Sequence, residues 1–408
     1  MWVPLRLDCR GAAGRLRSVV GKHSRFAAAA LAAGLAACGA GGGATSGAGC
    51  LGSDLLATLG KDHLLVGYAD DVAHAPFDLR YQYLAGPIAD ATQPCADDQW
   101  WGCWQDLSRP PGEFVTSFVA DASGRGQIPM FTYYLILPAS GAAEGAGEVA
   151  AANDLAFMRR YLADWRFLLG RIGTATAFLH VEPDFWGYAE HVGADPRAIP
   201  ARVASASPDC AGEEESVAGL GRCMIHMARR YAPKARIGLH ASGWGTRIDV
   251  LMNRSASLDV AAEGRKLGAF LLACGAGEGD FVVADMSDRD AGYYQSLGMN
   301  TWWSAGEALP SFHQAFAWAA AVAEAVGRPV LWWQIPVGNS TQANASGHWK
   351  DNRVEYLFDH PDEVARAHGI GMAFGAGAGG QTTPSTDGGL LDSRASLQAA
   401  RGGTPICR

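Results

Sequence analysis

Charge is scarce in this chain and nowhere gathered into a basic stripe. Asp, Glu, Lys and Arg make up 18% of its 408 residues, and the formal net charge is −8. Nucleic acid as a partner is thereby excluded, because phosphate binding calls for clustered Lys and Arg. There is no C-x-x-C pair and no H-E-x-x-H, which argues against a structural zinc site. No G-x-G-x-x-G follows an early strand. The glycine run at 375–380 comes late, at a strand end, and reads as a tight loop. Linkers and internal repeats are missing beyond about residue 60. Long apolar runs are missing too: the longest early one, residues 26–37, falls short of the roughly 20 residues a bilayer span needs.

That short run follows Arg6, Arg10, Arg15, Arg17, Lys22 and Arg25, so residues 1–37 read as a secretory signal. Its LAAC ending, Leu35 to Cys38, is similar to a bacterial lipobox. The expectation is a cell-envelope lipoprotein, periplasmic or at the cell surface, held to the membrane through a lipidated Cys38. Ordinary cleavage near Ala37 is the alternative. Removing the leader takes away six basic residues and one acid, which leaves a mature charge of −13. The Gly/Ala/Ser-rich start of residues 38–58 reads as a flexible tether, and 59–408 as one catalytic domain. Nine cysteines suit an oxidising compartment. Spacing suggests Cys95 with Cys103, Cys210 with Cys223 and Cys50 with Cys407, leaving Cys274 odd.

Eight apolar, strand-like runs recur at 64–69, 78–85, 128–137, 175–184, 235–244, 280–288, 329–338 and 369–376. Between them lie helical patterns, among them 154–170, 216–231, 307–326 and 353–367. Strand–helix alternation with runs this apolar predicts a parallel sheet buried on both faces, an α/β fold of the (β/α)8-like TIM-barrel type. One interval resists. Residues 70–77 are too few for a crossover helix, so the first pair is expected to be antiparallel, or the first run to lie outside a distorted barrel. A doubly wound open sheet is the other possibility.

Polar residues collect at strand ends, where barrels keep their chemistry. The most telling stretch is FLHVEPDFWGY, 178–188, which carries His180, Glu182 and Asp184 on one face by the two-residue period. Buried charges without partners cost several kcal/mol each, roughly, so such a face is expected to line a wet cleft. The other runs add Arg80, Gln82 and Tyr83; Tyr133 and Tyr134; His240, Ser242 and Trp244; Asp285, Asp288 and Asp290; and Trp333, Gln334 and Asn339. Bland roles compete with each: Arg80 as an ion-pair partner, Asp288 and Asp290 as helix caps, the histidines as core residues. Trp186, Trp244 and one of Trp332 and Trp333 are candidates for stacking on a sugar ring, since thirteen tryptophans are present and clustered.

The Glu182-Pro183-Asp184 motif at a strand end resembles glycoside hydrolase family 6, inverting cellulases with a distorted barrel. His240 to Trp244, HASGW, is similar to that family's histidine–alanine–glycine–tryptophan segment on the next strand. The resemblance implies a barrel glycosidase with Asp184 as general acid. It covers about two strands, and the family's aspartate cluster and late lysine-containing segment have no counterpart here, so cellulose is not implied.

The leading expectation is a glycoside hydrolase acting on an extracellular polysaccharide or oligosaccharide without a cofactor. Asp184 is the acid, Glu182 raises its pKa by like-charge repulsion, and Asp285 is the base or nucleophile. Arg80, Gln82, Tyr83, Tyr133, His180, Trp186, His240, Trp244, Asp288, Trp333 and Gln334 are expected to bind the sugar. Two alternatives stand: a glycan-binding surface lipoprotein on a glycosidase scaffold, and a metal-dependent hydrolase using His180, Glu182, His240 and Asp285.

Overall fold

The computed structural model describes residues 50–69, 74–375 and 379–406. The signal, Cys38 and Cys407 lie outside the described residues. Cys50 is disulfide-bonded, the pairs Cys95–Cys103 and Cys210–Cys223 are formed, and Cys274 is free and buried. Among the described residues no helix is long and apolar enough to cross a membrane.

The chain opens with α1 (Ser53–Thr58), β1 (Leu65–Tyr68), β2 (Leu79–Leu84) and α2 (Glu113–Gly124). Next come β3 (Ile128–Tyr133), α3 (Ile136–Ser140), α4 (Ala146–Ala151), α5 (Leu155–Ile172), β4 (Phe178–Val181) and α6 (Phe185–Val192). The middle holds α7 (Val217–Tyr231), β5 (Arg236–His240), α8 (Val260–Ala273), β6 (Phe281–Asp285), α9 (Ala291–Ser296) and α10 (Phe312–Val326). The chain finishes with β7 (Val330–Ile335), α11 (Arg353–Asp359), α12 (Pro361–Arg366), β8 (Gly369–Phe374) and α13 (Leu390–Ala400).

The eight strands close into one parallel barrel in sequence order, and each coincides with a predicted apolar run. The helical patterns behave as their periodicity demands. In α5, Phe157, Tyr161, Leu162, Trp165, Leu168, Leu169 and Ile172 recur at three- and four-residue spacing and are buried. Asp154 caps its start by accepting the Phe157 amide at 2.7 Å. Ser311 and Gln314 form a capping box on α10. The pattern over 353–367 is two helices, because Pro361 opens α12 after a break at His360. The tether ends before α1, which occupies residues read as flexible.

The expectations for the first strand are corrected. β1 is parallel to both β2 and β8 and belongs to the barrel. Its return to β2 needs no helix because β1 spans four residues, roughly 13 Å, and the connecting segment is long enough to retrace that in extended form. Ala75 and Phe77 pack where a crossover helix would otherwise cover the sheet. Asp392 of α13 accepts the Ala75 amide at 3.3 Å.

One buried carboxylate fastens the Cys95–Cys103 loop to the barrel. Asp164 on α5 accepts from Trp100 Nε1 at 2.8 Å, Trp101 Nε1 at 2.9 Å and the Tyr133 hydroxyl at 2.8 Å. Burial raises its pKa to about 6, against the pull of those three donors. Replacing it by alanine leaves the two buried indole N–H groups unpaired, at about 1–3 kcal/mol each, while the Tyr133 hydroxyl retains the Tyr161 carbonyl at 3.3 Å. Urea unfolding of Asp164→Ala is therefore expected to show at least about 2 kcal/mol lost, with Asp164→Asn milder; an unchanged midpoint would refute the account.

Candidate active site

The barrel interior is filled in layers. Phe178 meets Phe281 with ring centroids 4.9 Å apart. Toward the C-terminal ends comes a layer of Tyr83, His180, His240 and Trp333. Trp333 stands edge-on to His180 at 4.6 Å and to His240 at 5.8 Å, and contacts Tyr83 at 5.2 Å. Thr132 and His180 are register partners on β3 and β4. Within this layer runs a chain of polar contacts. Thr132 Oγ1 lies 3.1 Å from His180 Nδ1, His180 Nε2 lies 3.0 Å from His240 Nδ1, and His240 Nε2 lies 3.3 Å from Asp285 Oδ1. The His240 side chain is 2% exposed and that of Asp285 27%, so the chain reaches solvent at the carboxylate.

Asp184 enters the same mouth from the end of β4 by an unusual backbone route. Its φ of 72° and ψ of −46°, with the Phe185 amide donating to the Pro183 carbonyl at 2.9 Å, make a γ-turn of the strained form. Glu182 just before it has φ 47°. At β7, the pairing skips from Trp332–Met372 to Ile335–Phe374, a bulge that takes in Trp333 and Gln334, the latter at φ 55°. The bulge lets Trp333 fill the barrel while Gln334 Oε1 accepts from the Tyr83 hydroxyl at 3.1 Å. Three non-glycine residues at positive φ thus border one mouth, each costing about 1–3 kcal/mol, as is common where geometry serves chemistry.

Asp184 is half-buried and makes no side-chain hydrogen bond among the described residues. Burial raises its pKa to about 6, opposed by His240 and reinforced by Asp285, Glu144 and Asp288. Tyr83 feels both Asp184 and Asp285, and Tyr134 feels Asp184. At the rim, Tyr188 donates to Glu144 at 2.8 Å and packs against Trp244 at 4.6 Å. Beside them Glu148 is buried, its Oε1 without a hydrogen-bond partner among the described residues, and is pushed up to about 9 by burial and by Glu182 and Asp184. Among the described residues no Lys or Arg forms an ion pair with Glu144, Glu148, Glu182, Asp184 or Asp285.

Several expected site residues stand elsewhere. Arg80 points outward to Asp121 of α2 and lies over Phe118, and Gln82 shares that face of β2, because Tyr81 and Tyr83 take the inner one. Tyr133 faces α5 and Asp164, leaving Tyr134 nearer the site. Trp186 is wholly buried, its indole N–H bound to the Val181 carbonyl at 2.9 Å. His180 is sealed in the core, away from any ligand. Glu182 does not flank Asp184: the turn swings its carboxylate into the Leu135 and Ile136 amides at 3.0 and 3.1 Å. The expected metal set therefore does not converge, since Glu182 faces α3 and both nitrogens of His180 are engaged. Asp288 accepts from Tyr294, and Asp290 binds the Gly338 and Thr382 amides at 3.0 and 2.9 Å rather than capping α9. Tyr134 and Tyr188 were noted at strand ends without an assigned role, and Thr132, Glu144 and Glu148 were not expected at the site. Of these three only Thr132 had a signal, and reading it needed the strand register.

No protein-family model matches the chain, and no curated protein matches it. Among the solved structures similar to this chain are glycoside hydrolases. They include the endoglucanase Cel6 from Mycobacterium tuberculosis, at 15% identity over 71% of this chain and 67% of that one, TM-score 0.33. A modular endo-β-1,4-mannanase of family 26 from Cellulomonas fimi gives 11% identity, 85% and 74% coverage and TM-score 0.47. A family 44 xyloglucanase from Paenibacillus polymyxa gives 11%, 82%, 75% and 0.43. The likeness is one of barrel architecture.

Glu182 offers a test of the local electrostatics. Its pKa is raised to about 8, chiefly by burial, against the Leu135, Tyr161 and Ile136 hydrogen bonds. A group raised in the folded state binds its proton more tightly there, so its stabilising effect is complete below about 4.5 and is lost as pH rises through about 8. Glu182→Gln keeps an acceptor for the two amides and does not titrate. Thermal melts are expected to show a smaller drop in Tm between about pH 5 and about pH 8 for the variant than for the wild type; parallel profiles would contradict the assignment.

Proposed function

We propose that the chain is a glycoside hydrolase acting on a polysaccharide or oligosaccharide, with Asp184 as general acid and Asp285 as its partner carboxylate. The observation that carries this reading is the pair itself. Two carboxyl groups, from the ends of β4 and β6, reach one barrel mouth in different surroundings. One has its pKa raised to about 6 and no side-chain hydrogen bond among the described residues, while the other lies 3.3 Å from His240 Nε2. Glycosidic cleavage needs such an unequal pair, a protonated acid for the leaving oxygen and a carboxylate for the sugar carbon or its attacking water.

Tyr83, Trp333 and Gln334 line the floor next to this pair, and Tyr188 and Trp244 supply aromatic surface at the rim, where flat C–H faces of a sugar pack. The site carries several carboxyl groups without Lys or Arg pairs among the described residues. Its field therefore repels uronic acids and favours neutral or amine-bearing sugars. Secretion and lipid anchoring through Cys38 complete the proposal and rest on the leader sequence alone.

The test is reducing-end release from neutral glycans and from polyuronates. Asp184→Asn and Asp285→Asn are each expected to lower kcat by about 10²–10⁴-fold. Because Asp184 must hold its proton, kcat/KM is expected to fall about tenfold per pH unit above about 6. Binding without release by the wild type would leave a glycan-binding protein on a hydrolase scaffold. A preference for polyuronates would refute the electrostatic part.

A further inference from the structure

The chain from Thr132 to Asp285 has a direction that its chemistry fixes. A neutral imidazole offers one N–H and one lone pair, and a carboxylate only accepts. His180 is neutral, since burial disfavours its charged form. With His240 neutral as well, the carboxylate 3.3 Å from its Nε2 favours the proton on that nitrogen. His240 Nδ1 then accepts from His180 Nε2–H, and His180 Nδ1 accepts from the Thr132 hydroxyl. The reverse arrangement turns a lone pair of His240 toward the carboxylate, acceptor against acceptor. Trp333 closes the layer edge-on to both rings, and the two imidazoles lie 5.1 Å apart at 29°, so neither ring is free to turn over.

We propose that His180 is a positioning residue that sets the tautomer of a neutral His240, and through it keeps the His240 proton on the nitrogen next to the Asp285 carboxylate. Asp285 is faced from the other elements by Asp184 after β4, Tyr83 on β2 and Asp249 after β5. None of these supplies a cation, which leaves the His240 ring, 3.3 Å away, to set the polarity that the carboxylate meets. Without His180, the His240 proton is free to move to Nδ1, and Asp285 then faces a lone pair without any change in the residues that touch a substrate. The consequence for turnover rests on the glycosidase reading; the tautomer itself does not.

The experiment uses the full-length chain labelled with ¹⁵N-histidine and long-range ¹H–¹⁵N correlation of the ring nitrogens. His240 is expected to be the Nε2–H tautomer in the wild type and in His180→Gln, whose amide N–H takes the place of His180 Nε2–H. In His180→Leu the Nδ1–H form is expected to appear. On a glycan that the wild type cleaves, His180→Leu is expected to lower kcat about tenfold or more with KM little changed, and to move the acidic limb of the pH profile. His180→Gln is expected to restore both. An Nδ1–H His240 in the wild type, or a tautomer indifferent to His180→Leu in a protein with native near-UV circular dichroism, would overturn the proposal. So would a His180→Leu protein with the altered tautomer and wild-type kcat and pH profile. Should the wild type cleave nothing while the tautomer responds as expected, the control of His240 stands and the glycosidase reading falls.

Discussion

Glu148, Glu182, Asp184 and Asp285 share the mouth of one barrel, and water reaches too little of it to keep them all charged. Moving carboxylates out of water costs several kcal/mol each, roughly, and crowding adds repulsion. The fold answers differently for each group. Glu182 is given backbone amides, Asp285 a histidine, and Glu148 and Asp184 hold their protons to higher pH than free carboxyls do. The unequal pair needed for acid–base chemistry is thus a product of scarce solvation.

The same constraint explains the strained backbone. A straight β4 would put Glu182 and Asp184 side by side on one face, where neither finds a donor. The γ-turn at Asp184 and the left-handed Glu182 separate them, one toward the start of α3 and the other toward Asp285. The β7 bulge performs a similar service, delivering both Trp333 and Gln334 to the site. The regular barrel stabilises these local departures through a core in which the strands are buried on both faces.

The fold was legible because its signal is repeated. Eight apolar runs separated by helical periods admit few arrangements, and only the helix-free first connection was misread. The site was legible in part. Asp184 and Asp285 were noted as strand-end acids, and alternation showed that at most one of Trp332 and Trp333 faces the cleft. Arg80 and Tyr133 were misplaced because alternation fixes that two faces exist without saying which is inner. Glu182 was misplaced because alternation ends where the γ-turn begins, and three residues of sequence do not reveal that turn. Glu148 sits on a short helix whose composition gives no hint of the carboxylates beside it.

Hydrolysis in H₂¹⁸O tests the central claim most directly. A neutral glycan would be incubated with the protein, the new ends reduced at once with borohydride, and the products weighed by mass spectrometry. The account predicts one ¹⁸O for each reducing end released, located at the former anomeric carbon, and no labelled ends with Asp184→Asn. Products that carry a double bond and no label, or no products from any glycan that the protein binds, would contradict it.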